Sequence, residues 1–385
     1  MQEFRRMRVL FVSGTTTVGG AARSTHELAS LLASRGHAIA TLLLDDSAPR
    51  RTRLHRRCMN LRVKVSDTPF ANIVDSITRS IGSRVSLRSE ATNYESHTAI
   101  RPENALARRI REFRPDVVVV NSVDLPVWRQ IHYDLANLRL PAVLYIREES
   151  GLLHLSHSGI LPDLIVANAQ GHVDAADALG HAAILVPSVV DCSACQTNST
   201  REAVLFVNPI YEQGVDIALA LAKARPDIPF IFAESWTLDT DAIDALQNAI
   251  ADLPNVEFRR YRPDAHDLYA TVAILLAPYR YPGRSRTIAE AQCNAIPILA
   301  SDRYGPREAV GPGGILCDPD GSIDRWVDAL GLLWDDDEQY KTFSDLAIAH
   351  SKRIEMQPAT IMTTFETALS DLLRASTDSA EDRMK

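Results

Sequence analysis

The sequence predicts an α/β protein made of two Rossmann-like, doubly wound domains facing a cleft. Three observations predict it. First, Arg8–Ser13 (RVLFVS) is a short apolar run that ends at Gly14, then gives way to a Gly19-Gly20 turn and a helical pattern. Second, the same opening returns at Ala203–Val207 (AVLFV), followed by a turn over Asn208–Gly214 and a helix over Val215–Ala224. Third, short apolar runs bounded by turns alternate with helical patterns along the whole chain. Strands buried on both faces of a parallel sheet read as continuous apolar runs of this kind. Two such openings in tandem indicate two domains rather than one long sheet.

Each element follows in order. Leu28, Leu31 and Leu32 lie at helical spacing after the first turn, and Gly36 suits the C-terminal end of that helix. Ala38–Leu44 (AIATLLL) is the next strand. Pro115–Asn121, Ala142–Ile146, Leu164–Asn168 and Ala183–Val186 are further strands of the first half. Asp191–Arg201 (DCSACQTNSTR) is small and polar and reads as a linker. In the second half, Pro229–Ala233, Asn255–Arg259, Ile274–Ala277 and Ile296–Ala300 are strands, and Thr287–Asn294 and Ser322–Leu333 are helices. Residues 355–374 are helical in pattern, and the last ten read as a frayed polar tail. The expected boundaries are 1–188 for the first domain, 189–202 for the linker and 203–353 for the second domain. Residues 354–385 are expected to form a helix returning to the first domain, plus the tail.

Composition narrows the class. The chain has 385 residues, 46% of them apolar and 23% charged, enough apolar side chain for two cores. Forty-one Lys and Arg against 49 Asp and Glu give a formal net charge of -8, which argues against a nucleic-acid partner. No apolar run reaches the roughly 20 residues that span a bilayer. The opening MQEFRRMRVLFVSG has no signal-peptide pattern, so a cytoplasmic protein is expected. Residues 47–104 stand apart, with ten Arg and Lys64 against five acids. They read as a basic, solvated insertion, or as a patch for a charged acceptor or for peripheral contact with anionic lipid at the inner face of a membrane.

Most chemistry-bearing motifs are missing. Gly14 to Gly20 resembles a phosphate loop but lacks the Lys-Ser/Thr ending. What remains at Gly19-Gly20 is a glycine turn into a helix N-terminus, where free N–H groups favour an anion. His154-x-x-His157 reads as surface histidines, and Asp335–Glu338 as a solvated helix terminus. Cys58, Cys192, Cys195, Cys293 and Cys317 are too sparse for a disulfide framework. Cys192-x-x-Cys195 has no second ligand pair, so these read as linker cysteines, and no metal site is expected.

The stretch Ala277–Gly314 carries the most information. A strand ends at Pro278. A loop with Gly283, Arg284, Ser285 and Arg286 then enters a helix with Thr287 at its start and Glu290 one turn in. Loops after parallel strands gather at one sheet edge, where ligands bind. Arginines at a helix N-terminus suit a phosphate, and a carboxylate can accept both hydroxyls of a ribose diol.

This stretch resembles the donor segment of retaining glycosyltransferases of the GT-B fold, family 4. That family carries a Glu-x7-Glu pattern here and a Gly-Gly turn after its first strand. Its second domain opens as VLFVNPIYEQGVD does, and Asn255–Tyr269 and Asp302–Asp320 also fit. The resemblance implies a metal-independent enzyme with no cofactor and a nucleotide diphosphate sugar as co-substrate. It implies a hexosyl transfer, in cell-surface glycan synthesis, to a glycan, glycoside or lipid-linked acceptor held by the first domain. Glu290 would meet the ribose, with Gly19 and Gly20 near the diphosphate. The sequence departs from the family at Pro282, which replaces the first Glu of the pattern. The usual basic pair falls on Asn208 and Gln213, and a customary His falls near Asn121. Arg284, Arg286 and Arg147 are the candidates to stabilise the departing diphosphate. A catalytically impaired homologue that binds a nucleotide sugar or glycan and scaffolds a partner is the alternative.

Overall fold

In a computed structural model of the chain, the described residues are 5–15, 19–45, 49–64, 70–87, 92–157, 161–260, 265–281 and 283–382. Two compact units emerge: Met1–Asn168 with His172–Val186 and Met362–Lys385, and Ala169–Gly171 with Pro187–Ile361.

The first unit runs β1 (Arg8–Ser13), α1 (Gly20–Ser34), β2 (Ala38–Leu44), α2 (Pro49–Lys64), α3 (Ala71–Gly82), β3 (Val85–Leu87), β4 (Glu95–Ala99), α4 (Pro102–Phe113), β5 (Val117–Asn121), α5 (Leu125–Leu138), β6 (Ala142–Ile146), α6 (Ser150–His157), β7 (Leu164–Ala167), α7 (Gln170–Ala178) and β8 (Ile184–Leu185). Its eight strands lie in the order β3-β4-β2-β1-β5-β6-β7-β8. Only the β3–β4 pair is antiparallel. β1 and β5 are buried because helices cover both faces of the sheet. The expected insertion over 47–104 is a correction: it holds α2, α3 and two strands, one of which, β4, pairs parallel with β2. β4 (ESHTA) has no apolar run. The buried Ser96 is satisfied instead by a hydrogen bond, Thr41 Oγ1 donating to Ser96 Oγ at 3.1 Å.

The second unit runs β9 (Ala203–Val207), α8 (Val215–Ala224), β10 (Phe230–Ala233), α9 (Thr240–Ile250), β11 (Val256–Arg259), α10 (Ala265–Tyr269), β12 (Val272–Ala277), α11 (Arg286–Cys293), β13 (Ile298–Ser301), α12 (Tyr304–Val310), β14 (Gly314–Cys317), α13 (Ile323–Asp335), α14 (Asp337–Ser351) and α15 (Pro358–Asp382). The six strands are ordered β11-β10-β9-β12-β13-β14. Every neighbouring pair is parallel. The acidic run near residue 336 caps α14: Asp336 accepts from the backbone N–H groups of Glu338 and Gln339.

The expected polar tail is corrected in part, since α15 continues to Asp382; residues 383–385 lie outside the described set. From Met362 onward this helix belongs to the first unit. Phe365 is fully buried, with ring centroids 6.4 Å from Phe11 and 6.2 Å from Tyr145. The next residue, Glu366, is 1% exposed and paired with Arg35 and His37. The Met7 N–H donates to His37 Nδ1 at 3.1 Å, so His37 Nε2 carries the proton that meets Glu366 Oε1 at 3.0 Å. Removing a buried phenyl ring loses its transfer energy and leaves a cavity, so Phe365→Ala should destabilise the protein by about 3–5 kcal/mol. Urea unfolding of wild type and variant reads the difference.

Candidate functional site

The candidate site of the second unit is built at the carboxyl edge of its sheet, where the parallel strands end and their loops gather. Asn208, directly after β9, adopts a left-handed φ of 57°, which Asn tolerates better than most residues. Its amide spans to the loop after β10: Nδ2 donates to Ser235 Oγ at 2.7 Å, and Oδ1 accepts from the Ser235 N–H at 2.7 Å. Gly214 caps the start of α8 at φ 83°, and a Cβ there would lie 2.0 Å from the Pro278 carbonyl oxygen. Only glycine permits that approach, and it brings the loops after β9 and β12 together. The adjoining Gln213 then donates from Nε2 to Tyr281 Oη at 3.3 Å. Tyr281 stacks on Tyr279 with centroids 5.5 Å apart. A Cβ on Gly283 would meet the Tyr281 ring at 2.6 Å, so the loop folds back tightly on its own aromatic residue.

The loop then enters α11. Ser285 occupies the N-cap position but makes no capping hydrogen bond with its side chain. Its hydroxyl instead accepts from Tyr279 Oη at 3.1 Å and shares a hydrogen bond with Thr287 Oγ1 at 2.8 Å. Tyr279 Oη also lies 2.9 Å from Thr287 Oγ1. Burial pushes the Tyr279 phenol above its ordinary value. It therefore remains a donor, and the three hydroxyls form a neutral polar cluster beside first-turn N–H groups that no capping side chain satisfies. Arg284 pairs with Glu308 of α12, Nη1 to Oε1 at 2.6 Å.

Glu290 is 4% exposed. Both its oxygens are engaged within the unit: Arg286 Nε donates to Oε1 at 2.7 Å, and Tyr269 Oη donates to Oε2 at 2.9 Å. Burial, and then the charge of Glu290, hold the Tyr269 phenol well above its ordinary value, so it stays protonated and donates. Arg286 spends a second N–H on the Val189 carbonyl, Nη1 to O at 2.7 Å. The pair expected to meet diphosphate and ribose is thus a buried ion pair across one helical turn, joined to the segment that precedes β9. The Arg286 and Glu290 spacing was legible. That the two satisfy each other follows from burial, which spacing alone does not reveal.

Pro282 lies outside the described residues. Asn208, Gln213, Gly283, Arg284, Ser285, Arg286, Thr287 and Glu290 all fall on this one sheet edge or on the helix it leads into. The sequence reading missed Tyr269, Tyr279, Tyr281 and Glu308. Their only signal is the aromatic spacing Tyr-x-Tyr ahead of the loop.

The remaining candidates belong to the first unit. Asn121 ends β5, fully buried, and accepts from Ser13 Oγ at 2.8 Å at the end of neighbouring β1. Gly19 precedes α1 at φ 104°, and a Cβ on Gly20 would meet nothing within 4 Å. The close approach falls instead at Gly14, whose Cβ would lie 2.3 Å from the Ser122 carbonyl oxygen. Arg147 follows β6 at 7% exposure, with its guanidinium 4.1 Å from the centroid of the Tyr145 ring.

Two expectations are corrected here. His154 is not a surface residue: it is 3% exposed, stacks on Trp128 and bonds through Nε2 to the Val123 carbonyl at 2.8 Å. Cys192 is not a plain linker cysteine either, because it is disulfide-bonded to Cys293, the last residue of α11, across 101 residues of sequence. Asn294 reinforces that junction, donating from Nδ2 to the Cys195 carbonyl at 3.1 Å and accepting from the Thr197 N–H at 2.6 Å.

Residues 204–336 match the family model described as glycosyl transferases group 1. They span the sheet edge just described. No curated protein matches the chain by sequence. Among solved structures, Anabaena HepE in complex with UDP-glucose is similar at a TM-score of 0.72 and 16% identity, covering 95% of this chain and 100% of that one. Sucrose-phosphate synthase from Thermosynechococcus elongatus is similar at 0.71 and 12%, covering 96% and 100%. A glycosyltransferase from Rickettsia africae is similar at 0.68 and 13%, covering 96% and 99%. At these identities the structures speak for the fold, which is GT-B. The family match is confined to the second unit.

Removing one partner of the buried pair strands the other. Glu290→Ala should therefore cost about 3–5 kcal/mol, and the double variant Arg286→Met with Glu290→Leu should cost less than that single change. Urea denaturation of the three proteins checks the order. Closing a loop of about 100 residues is worth up to about 4.7 kcal/mol in the chain-entropy view. A thiol reductant should then lower the melting temperature of wild type by roughly 5–15 °C and leave that of Cys192→Ser unchanged.

Proposed function

We propose that the protein is a retaining glycosyltransferase of family 4 that moves a hexosyl unit from a nucleotide diphosphate sugar to an acceptor hydroxyl. The observation that carries the reading is the start of α11: a helix N-terminus with no side-chain cap, flanked by the hydroxyls of Tyr279, Ser285 and Thr287, inside the region that matches the family model. First-turn N–H groups left without a side-chain cap and the positive end of the helix dipole suit a diphosphate. The complex of HepE with UDP-glucose supports a nucleotide sugar as the donor.

Under this reading the C1–O bond to the leaving diphosphate breaks as the acceptor oxygen bonds to C1 on the same face. The acceptor proton passes to a leaving phosphate oxygen, so no protein nucleophile is needed. Negative charge on the departing diphosphate is met by the α11 N–H groups and hydroxyls, with Arg284 a cation of the same loop, held by Glu308. Arg286 acts by holding Glu290 rather than by meeting phosphate. The enzyme needs no metal and no cofactor. It works in the cytoplasm, on a glycan, glycoside or lipid-linked acceptor of cell-surface glycan synthesis. TarM, a neighbour at 10% identity, has been captured in a mutant form with α-GlcNAc-glycerol and UDP, a glycoside together with a nucleotide.

A second reading is favoured by one observation. Asn208 and Gln213 are neutral, and both make hydrogen bonds within the unit, at positions where the resemblance expects cations. A homologue impaired in catalysis would still bind a nucleotide sugar or glycan and serve as a scaffold.

Thermal-shift measurement against UDP-, GDP-, ADP- and dTDP-sugars separates these from a wrong assignment. One donor should raise the melting temperature, and Ser285→Ala with Thr287→Ala should weaken that donor by about tenfold, the loss of one to two hydrogen bonds to an anion. Release of nucleoside diphosphate on adding glycoside acceptors identifies the transferase. Donor stabilisation without release identifies a donor-binding scaffold, and no shift with any donor at millimolar concentration overturns the transferase in favour of a scaffold that binds glycan.

A further inference from the structure

We propose that α2 and α3 of the first unit form a docking surface for a lipid bilayer bearing anionic headgroups. The two helices are unlike the rest of the surface in two independent ways.

The first is charge. α2 (PRRTRLHRRCMNLRVK) carries six Arg and Lys64 and no Asp or Glu, in a protein whose formal net charge is -8. Arg53, Arg56, Arg57 and Lys64 are exposed. Like charges so dense along one helix repel one another, and an anionic surface relieves that repulsion.

The second is exposed apolar area. Seven of the sixteen large apolar side chains exposed among the described residues fall between Leu54 and Ile77. On α3 they form a ridge. Phe70, Ile73 and Ile77 are spaced by three and four residues and are 65%, 56% and 49% exposed. The adjoining stripe, Ala71, Val74, Thr78 and Ile81, is buried in the unit. α3 therefore carries one wide apolar face, and packing within the unit covers only part of it. On α2, Leu54 and Leu61 are seven residues apart, on one side of the helix, with Arg57 between them.

Neither feature alone names a partner. A polyanion in water would use the cations and leave Phe70, Ile73 and Ile77 in solvent. An apolar partner would use the ridge and strand the cations. A bilayer interface with anionic headgroups accepts both, because apolar side chains enter the acyl boundary while Arg and Lys remain among the phosphates. Among the described residues no helix is long and apolar enough to cross a membrane, so the contact is peripheral. The surface lies wholly in the first unit, and a negative result leaves the donor-binding reading of the second unit untouched.

The test is co-sedimentation of the full chain with vesicles of phosphatidylcholine, with and without phosphatidylglycerol, and retention on immobilised heparin as a soluble-polyanion control. Binding is expected on the phosphatidylglycerol vesicles, absent on phosphatidylcholine alone, and lost in high salt. Arg56→Ser with Arg57→Ser should lower the partition constant roughly 25-fold, at about fivefold per cation. Ile73→Ser with Ile77→Ser should lower it about tenfold or more while leaving heparin retention unchanged. Phe70→Trp in the otherwise wild-type chain gives a readout that does not depend on the other variants folding: its fluorescence should shift to the blue on phosphatidylglycerol vesicles. Equal binding to both vesicle types, no blue shift, or vesicle binding indifferent to Ile73→Ser with Ile77→Ser overturns the proposal, the last in favour of a polyanion-binding surface.

Discussion

A parallel strand cannot turn straight back into its neighbour. The chain must cross the sheet and start again from the same end, which it does through a helix. Every strand of the second unit obeys this constraint, and all its loops of one kind therefore meet at one edge. Asn208, Ser235, Tyr279, Tyr281 and the start of α11 come from separate parts of the sequence yet meet there for this reason alone. The glycine at 214 completes the meeting, since any side chain would collide with the Pro278 carbonyl. The constraint also explains why the site is rich in main-chain geometry and short polar side chains rather than in a single catalytic group.

Within that frame, Glu290 organises its surroundings. A carboxylate removed from water must be compensated, and here Arg286 and Tyr269 do so. Arg286 then reaches Val189, and the disulfide and Asn294 tie the other end of α11 to residues 192–197. The helix that presents the candidate anion site is thus held at both ends to the segment leading into the second unit. The same buried pair that looks like ligand chemistry in the sequence sets the position of the helix in the structure.

The sheets were legible in the sequence because their central strands are buried on both faces. RVLFVS, VVVVN, AVLFV and VAILLA need no partner to be recognised as strands. β4 was not legible, because ESHTA is buried by pairing hydroxyls, which leaves no apolar signature. The loop and helix over 283–290 were found from their spacing and the glycine. The partners were not: Tyr269, Glu308 and Cys293 meet the site only through the fold, across gaps that no local pattern encodes. His154 misled for a related reason, since its neighbours Trp128 and Val123 come from a different element.

The place of Phe365 and Glu366 has a consequence for synthesis. Domains made early on a ribosome ordinarily fold before the later ones emerge. Here the first unit includes residues from Met362 onward, and Phe11, Tyr145 and His37 wait for them. The sheet formed first in time is thus completed last, after the whole second unit has left the ribosome. A nascent chain must carry an open seam in its earlier domain until the residues from Met362 onward emerge, and a chain stopped before them lacks the piece that closes its first domain.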